Sequence, residues 1–361
     1  MWPDARISRL LGIEHPILLA PMAGYGTPEL AIAVADAGGL GSLACALLTP
    51  DQIRRDLGII RQRTKRPVNL NFFVHRQPTP DPARTARWVQ RLEGYYAEHS
   101  IDRSTPLPIS NRAPFTEETC AIVEEFRPET VSFHFGLPEA RLLARVKATG
   151  AKILSSATTV TEARWLEARG CDAIIAQGYE AGGHRGLFLT GNTNDITHQP
   201  GLFALLPQVV DAVRLPVIAA GGIADARGIA AAFMLGASAV QIGTAYMLCP
   251  EASTSPMHRA LLKAGTDDGT ALTNLFTGRP ARGIVNRLMR DVGPISDEAD
   301  AFPLSGGPLM PLKAAAEAQG GTDFTALWSG QASALAQELP AGKLTRLLAE
   351  GALAKLQSGR G

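Results

Sequence analysis

The stretch PVIAAGGIADARGIAAAFMLGASAVQIGTAYM (216–247) decides the fold. Its first part, PVIAAGGI (216–223), is apolar and closes on two glycines. ADARGIAAAFMLG (224–236) has helical spacing and stops at a glycine, where a C-cap wants positive φ, and AVQIGTAYM (239–247) is apolar again. Strand, crossover helix and strand make one βαβ unit, which implies parallel strands.

Moving towards the amino terminus, six more short apolar runs appear: AIIAQG (173–178), KILSSAT (152–158), VSFHFG (131–136), VNLNFFV (68–74), GLGSLAC (39–45) and PILLAPM (16–22). None alternates cleanly, as expected for strands buried on both faces. Helical stretches lie between most of them, at 28–38, 49–63, 138–150 and 159–170. Eight strands alternating with helices predict an α/β fold, a (β/α)8 TIM barrel, with an open doubly wound sheet as the alternative.

Two intervals depart from a minimal barrel. Residues 75–130 are too long for one crossover, and RQPTPDP followed by helices near 82–99 and 116–127 predicts an inserted excursion after strand 3. After residue 250 the rhythm stops. LTNLFTGRPARGIV (272–285) reads as a hairpin, and helices near 310–319, 331–338 and 341–357 follow. The chain thus divides into a barrel over 1–250 and a C-terminal hairpin and mostly helical cap or lid over 251–361, with the last helix packing back on the barrel.

The chain has 361 residues, is 45% hydrophobic and carries a formal charge of +1 from 35 basic and 34 acidic residues. That balance gives no electrostatic case for nucleic acid or an anionic membrane and points to a small-molecule partner. The amino terminus is charged where a signal peptide would be apolar, and no run is long enough to span a bilayer, so a soluble cytoplasmic protein is expected. Cys45, Cys120, Cys171 and Cys249 are widely spaced and form no ligand pattern, so no metal site is expected.

GGLGSLA (38–44) contains GxGxxA but follows a helix and enters a strand, the reverse of a dinucleotide fingerprint. The glycines ending the seventh and eighth strands are better placed. Gly221, Gly222, Gly243 and Thr244 would present bare amides and one hydroxyl where barrels often bind phosphate, although tight turns use glycine too. Ala20, Pro21, Met22 and Gly24 would stand at the mouth after the first strand, and Asn71 and Gln177 are amides on apolar strands. In QGYEAGGHRG (177–186), Gly182 and Gly183 allow a close backbone approach and set His184 beside the same mouth. His134 ends another strand and ranks second. His15, His75, His99, His198 and His258 occupy no diagnostic place and are read as structural.

Together these motifs resemble the nitronate monooxygenase (2-nitropropane dioxygenase) family of FMN-dependent TIM-barrel flavoproteins. The resemblance runs through PILLAPMAG, NLNFF, VSFHFGLP, QGYEAGGHRG, LPVIAAGGIADARG and VQIGTAY, and the tail's TGRPARGIVN and WSGQ are similar to family sequence. It implies that the 1–250 barrel binds FMN. Gly221, Gly222, Gly243 and Thr244 would then hold its phosphate, Met22, Asn71, Gln177, Gly183 and Gln241 would meet the ring or ribityl chain, and His184 would be catalytic. It also implies tyrosines and a lysine around 302–310, where this chain has FPLSGGPLM. Phe302, a substrate-pocket candidate with His134, keeps the ring without the hydroxyl, and Gly306 and Gly307 should make the pocket roomier.

The implied reaction is oxidation of alkyl nitronates, or of nitroalkanes, by O2 to a carbonyl compound and nitrite, by a monomer or homodimer. The alternative on the same site is an NAD(P)H-dependent flavin reductase acting on a quinone or enoyl thioester. A non-catalytic phosphate-binding barrel would give His184 no reason to stand at the mouth.

Overall fold

The computed structural model describes residues 1–102, 107–108 and 112–358. Of the expected excursion, 103–106 and 109–111 lie outside the described residues, as do 359–361 of the tail. Eleven strands are described: β1 (Ile17–Leu19), β2 (Gly41–Ala44), β3 (Val68–Phe73), β4 (Thr130–His134), β5 (Lys152–Ala157), β6 (Ala173–Gln177), β7 (Gly183–His184), β8 (Val217–Ala220), β9 (Ala239–Ile242), β10 (Thr270–Thr273) and β11 (Ala281–Ile284). Eight of them form one parallel sheet in the order β1-β9-β8-β6-β5-β4-β3-β2. The edges meet where the Leu19 amide donates to the Leu40 carbonyl (2.9 Å) and the Leu40 amide to the Ile17 carbonyl (3.0 Å), which closes the barrel. All eight barrel strands are those read from the sequence.

Period-two alternation divides each strand between two environments. On β3, Val68, Leu70 and Phe72 join the core under the outer helices, while Asn69 and Asn71 face the polar groups of neighbouring strands inside the barrel. Asn69 Nδ2 donates to Ser42 Oγ (3.1 Å) and Ser132 Oγ (2.9 Å), and Asn71 Nδ2 to Ser132 Oγ (2.9 Å). The amino-terminal end of the barrel is apolar. Ile7 and Leu11 of the helix Arg6–Leu11 pack there with Leu18, Leu154, Ile175 and Ile218. Polar groups thus concentrate towards the carboxyl ends of the strands, where a ligand can reach them.

The helix Ala341–Ser358 takes the eighth place in the outer ring, between Pro28–Asp36 and Ala226–Met234. It buries Leu344, Leu348 and Ala352 in the main core, and its Thr345 hydroxyl lies 2.9 Å from the Tyr246 hydroxyl. The excursion and the tail build a second apolar cluster together. Trp88, Leu92 and Tyr96 pack with Phe276, Leu288, Leu312 and Phe324, and Trp88 Nε1 donates to the Ser305 carbonyl (3.0 Å).

Two local expectations need correction. The helix expected over 82–99 is two, Pro82–Arg91 and Glu93–Glu98. The helix expected near 331–338 is only a 3-10 turn, Ser333–Leu335, because the preceding chain is pinned, with the Gln331 amide on the Glu180 carbonyl (3.1 Å). The hairpin expected over 272–285 is present as β10 and β11. It takes β7 as a third antiparallel strand, with Ala281 opposite His184 and Arg282 opposite Gly183.

Candidate active site

A cavity opens at the carboxyl ends of the barrel strands. Its wall includes Ala20, Pro21 and Met22 after β1, Asn71 on β3, His134 on β4, Gln177 on β6, Gly182, Gly183 and His184 around β7, Gly221 and Gly222 after β8, and Gln241, Gly243 and Thr244 at β9. Of the residues singled out in the sequence, Gly24 and Phe302 lie outside that wall. Gly24 turns the chain after β1 with φ +87°. The Phe302 ring centroid is 5.4 Å from that of His184, so it packs against the imidazole from outside the cavity.

The two glycines before His184 have different work. A Cβ on Gly182 would lie 2.6 Å from the Gly330 amide nitrogen and 2.7 Å from the Ser329 carbonyl carbon, so this glycine admits the tail segment Trp328–Gly330. Gly183, with φ +71°, would carry a Cβ that meets nothing within 4 Å, so its face is open to a ligand.

His184 is gripped at backbone and ring. Gln177 Nε2 donates to its carbonyl (2.9 Å), and Gln177 Oε1 accepts from the Gly186 amide (2.8 Å). His134 Nε2 is 3.1 Å from the same carbonyl, which can only accept, so that nitrogen carries the proton and Nδ1 accepts from Ser156 Oγ (2.6 Å). Both nitrogens of His134 are therefore engaged by the protein. The His184 ring places Nε2 3.0 Å from Thr277 Oγ1 in the turn between β10 and β11. Phe73, Phe135, Phe302 and Trp328 surround the imidazole at centroid distances of 5.4 to 6.0 Å.

Burial above all, then Arg112, His134, Arg279 and His75, hold the His184 pKa well below the ordinary histidine value. Burial likewise pushes His134 down to about 3 and His75 to about 4. The site therefore presents neutral imidazoles beside guanidinium groups. Arg279 lies over the Phe135 ring, 3.9 Å from its centroid, and donates to the Leu187 carbonyl.

The phosphate-binding reading can be tested on backbone geometry. Gly221 (φ +113°) and Gly222 (φ +67°) hold conformations that favour glycine, and Thr244 opens the 3-10 helix Thr244–Leu248. Among the described residues, none accepts a hydrogen bond from the amides of Gly221, Gly222, Gly243 or Thr244. Donors left over at adjacent strand ends fit an anion. Thr244 Oγ1 also accepts from the Gly330 amide (2.9 Å), joining this corner to the tail.

Several site residues were missed in the sequence. His75, read there as structural, is buried with its ring 4.8 Å from Phe302. Arg112, Trp328, Ser329 and Gly330 line the cavity, and Thr277 and Arg279 support His184. The signals for the tail residues were TGRPARGIVN and WSGQ, visible as motifs but with no indication of what they would touch, while His75 and Arg112 carried no motif. Gly306 and Gly307 do not enlarge the pocket. Their missing side chains make room for the Phe276 and Pro108 carbonyls, 2.7 and 2.6 Å from the Cβ positions.

The family model described as nitronate monooxygenase matches residues 4–351. The chain belongs to the nitronate monooxygenase family. Among curated members, the nitronate monooxygenase of Pseudomonas aeruginosa is 43% identical over 96% of this chain and 98% of its own, and that of Paraburkholderia phytofirmans is 42% identical over 94% and 92%. Among solved structures, the nitroalkane oxidase of Streptomyces ansochromogenes superposes with a TM-score of 0.88 at 38% identity, covering 99% of this chain and 100% of that one. FabK from Thermotoga maritima superposes less closely, with a TM-score of 0.71 at 27% identity over 99% and 98%. As a family member the chain is an oxidoreductase with a flavin cofactor and a small-molecule substrate.

Proposed function

We propose that the protein oxidises alkyl nitronates, and the nitroalkanes they derive from, with O2 to a carbonyl compound and nitrite, using FMN bound across the mouth of the barrel. The observation that carries this reading is a partly buried, uncharged His184 sharing one cavity with two sets of unspent strand-end amides. When bound, FMN supplies the transfer of electrons from nitronate to O2. Gly221, Gly222, Gly243 and Thr244 would hold its phosphate. Met22, Asn71, Gln177, Gly182, Gly183 and Gln241, with the backbone of Ala20 and Pro21, would hold the ring and ribityl chain, while Gly24 shapes the turn behind them.

His184 would act on the substrate. As a neutral imidazole it can take the α-proton of a nitroalkane, and its surroundings stabilise what results: Arg112 and Arg279 place positive charge near a nitronate anion, and the aromatic ring cluster excludes water. His134 would orient the His184 backbone and Phe302 would brace its ring.

His184→Asn tests this assignment. The variant should purify yellow and release FMN on denaturation. Its kcat/KM on neutral nitroalkane should fall by ~10²-fold or more, the scale of general-base catalysis, with a much smaller fall on preformed nitronate. Equal losses on both substrates would make His184 a charge-stabilising group and not a base, and release of FAD would refute the phosphate assignment.

A second reading, NAD(P)H-dependent reduction of a quinone or enoyl thioester on the same flavin, is supported by the likeness to FabK. It expects rapid anaerobic bleaching by NADH or NADPH, where the first reading expects bleaching by nitronate.

A further inference from the structure

We propose that Thr277 is a positioning residue that holds His184 as its Nε2–H tautomer, leaving Nδ1 as the nitrogen that takes the substrate proton. This rests on the reading of His184 as the base. Thr277 stands in the turn of the tail hairpin, 93 residues from His184 in sequence, and is 1% exposed. Its hydroxyl has two neighbours, the Arg279 carbonyl at 3.2 Å and His184 Nε2 at 3.0 Å. A carbonyl can only accept, so the single hydroxyl proton goes to Arg279. Towards His184 the oxygen is then an acceptor, and Nε2 must carry the hydrogen.

A neutral imidazole has one N–H, so Nδ1 keeps its lone pair. Among the described residues no hydrogen bond reaches Nδ1. The arrangement is local to the hairpin: β11 pairs with β7 and fixes the His184 backbone, while the turn that begins four residues earlier fixes the ring. The tail therefore supplies half of the catalytic unit, the orienting group that a base requires.

The direct test is long-range 15N–1H correlation on FMN-loaded protein with 15N-labelled histidines, the His184 signals being assigned by their loss in His184→Asn. The wild type should show a bare Nδ1 and a protonated Nε2. A protonated Nδ1 overturns the proposal without any variant being needed.

Thr277→Val removes the acceptor and keeps the shape. It should mix the tautomers and lower kcat on neutral nitroalkane by ~10 to 10²-fold, less than loss of the base itself, with KM changed far less and preformed nitronate hardly affected. Thr277→Ser should restore both tautomer and rate. An unchanged tautomer and kcat in Thr277→Val would overturn the proposal. If the tautomer behaves as stated but His184→Asn still turns over nitroalkane, the base assignment fails while the positioning role of Thr277 stands.

Discussion

At the scale of single residues, the site depends on keeping an imidazole uncharged. His184 faces Arg112, Arg279, His134 and His75, and burial with these neighbours lowers its pKa, so protonation demands a lower pH than for a free histidine. A base works only in its unprotonated form. The acid limb of kcat/KM on neutral nitroalkane should therefore lie below pH 6.5, and the profile should be level from about pH 7 down to that point, because kcat/KM reports the free enzyme. An inflection at or above 6.5 that vanishes in His184→Asn would show that the imidazole is solvated in the working enzyme. The neighbouring Phe302 carries no titrating hydroxyl and packs between His184 and His75, at 5.4 and 4.8 Å, so it can support the ring without adding a proton of its own.

At the scale of elements, the eight barrel strands and the outer helices were legible because each carries its own signal: an apolar run, a helical period and a terminal glycine. The glycine turns after β8 and β9 and His184 after β6 were legible for the same reason, since strand ends define the mouth of a barrel. What could not be read was pairing across long sequence separations. Nothing in QGYEAGGHRG says that Gly183 and His184 form a strand against Ala281–Arg282, or that Gly182 admits Trp328–Gly330 from almost 150 residues away. That contact makes a prediction. Gly182→Ala would set a methyl 2.6 Å from backbone that cannot swing aside, so the Trp328–Gly330 segment must move, stretching the bond from Gly330 to Thr244 and that from the adjoining Gln331 to Glu180. The expected result is a loss of ~1 to 3 kcal/mol in urea unfolding, the usual range for overpacking, with weaker retention of FMN on gel filtration. Unchanged stability and retention would mean that the tail segment is not seated against Gly182.

At the scale of the whole molecule, the same burial that neutralises the site ties stability to pH. Burial lowers His75 and His258 to about 4, His134 to about 3 and His184 well below 6.5, against an ordinary value of 6.5 in the unfolded chain. Between those limits the unfolded state holds protons that the folded state does not, so unfolding takes up protons and stability falls as pH falls. Above pH 6.5 neither state is protonated at these positions and the contribution is level. Each such histidine adds a slope of about 1.4 kcal/mol per pH unit within its window. Most carboxylates titrate below about pH 4.5, so the interval from 6.5 to 4.5 is dominated by the histidines. Cofactor binding also varies with pH, and a variant comparison cancels it. His258 is 1% exposed and meets the Tyr25 ring edge-on at 5.3 Å, itself outside the cavity wall. His258→Gln should shift stability at pH 7.5 by a constant amount, while its urea-derived free energy should fall less steeply than wild type below pH 6.5, by the slope of one proton. Parallel wild-type and variant curves between 6.5 and 4.5 would show that His258 charges freely in the folded protein, and a wild-type curve level over that interval would refute the coupling for all four.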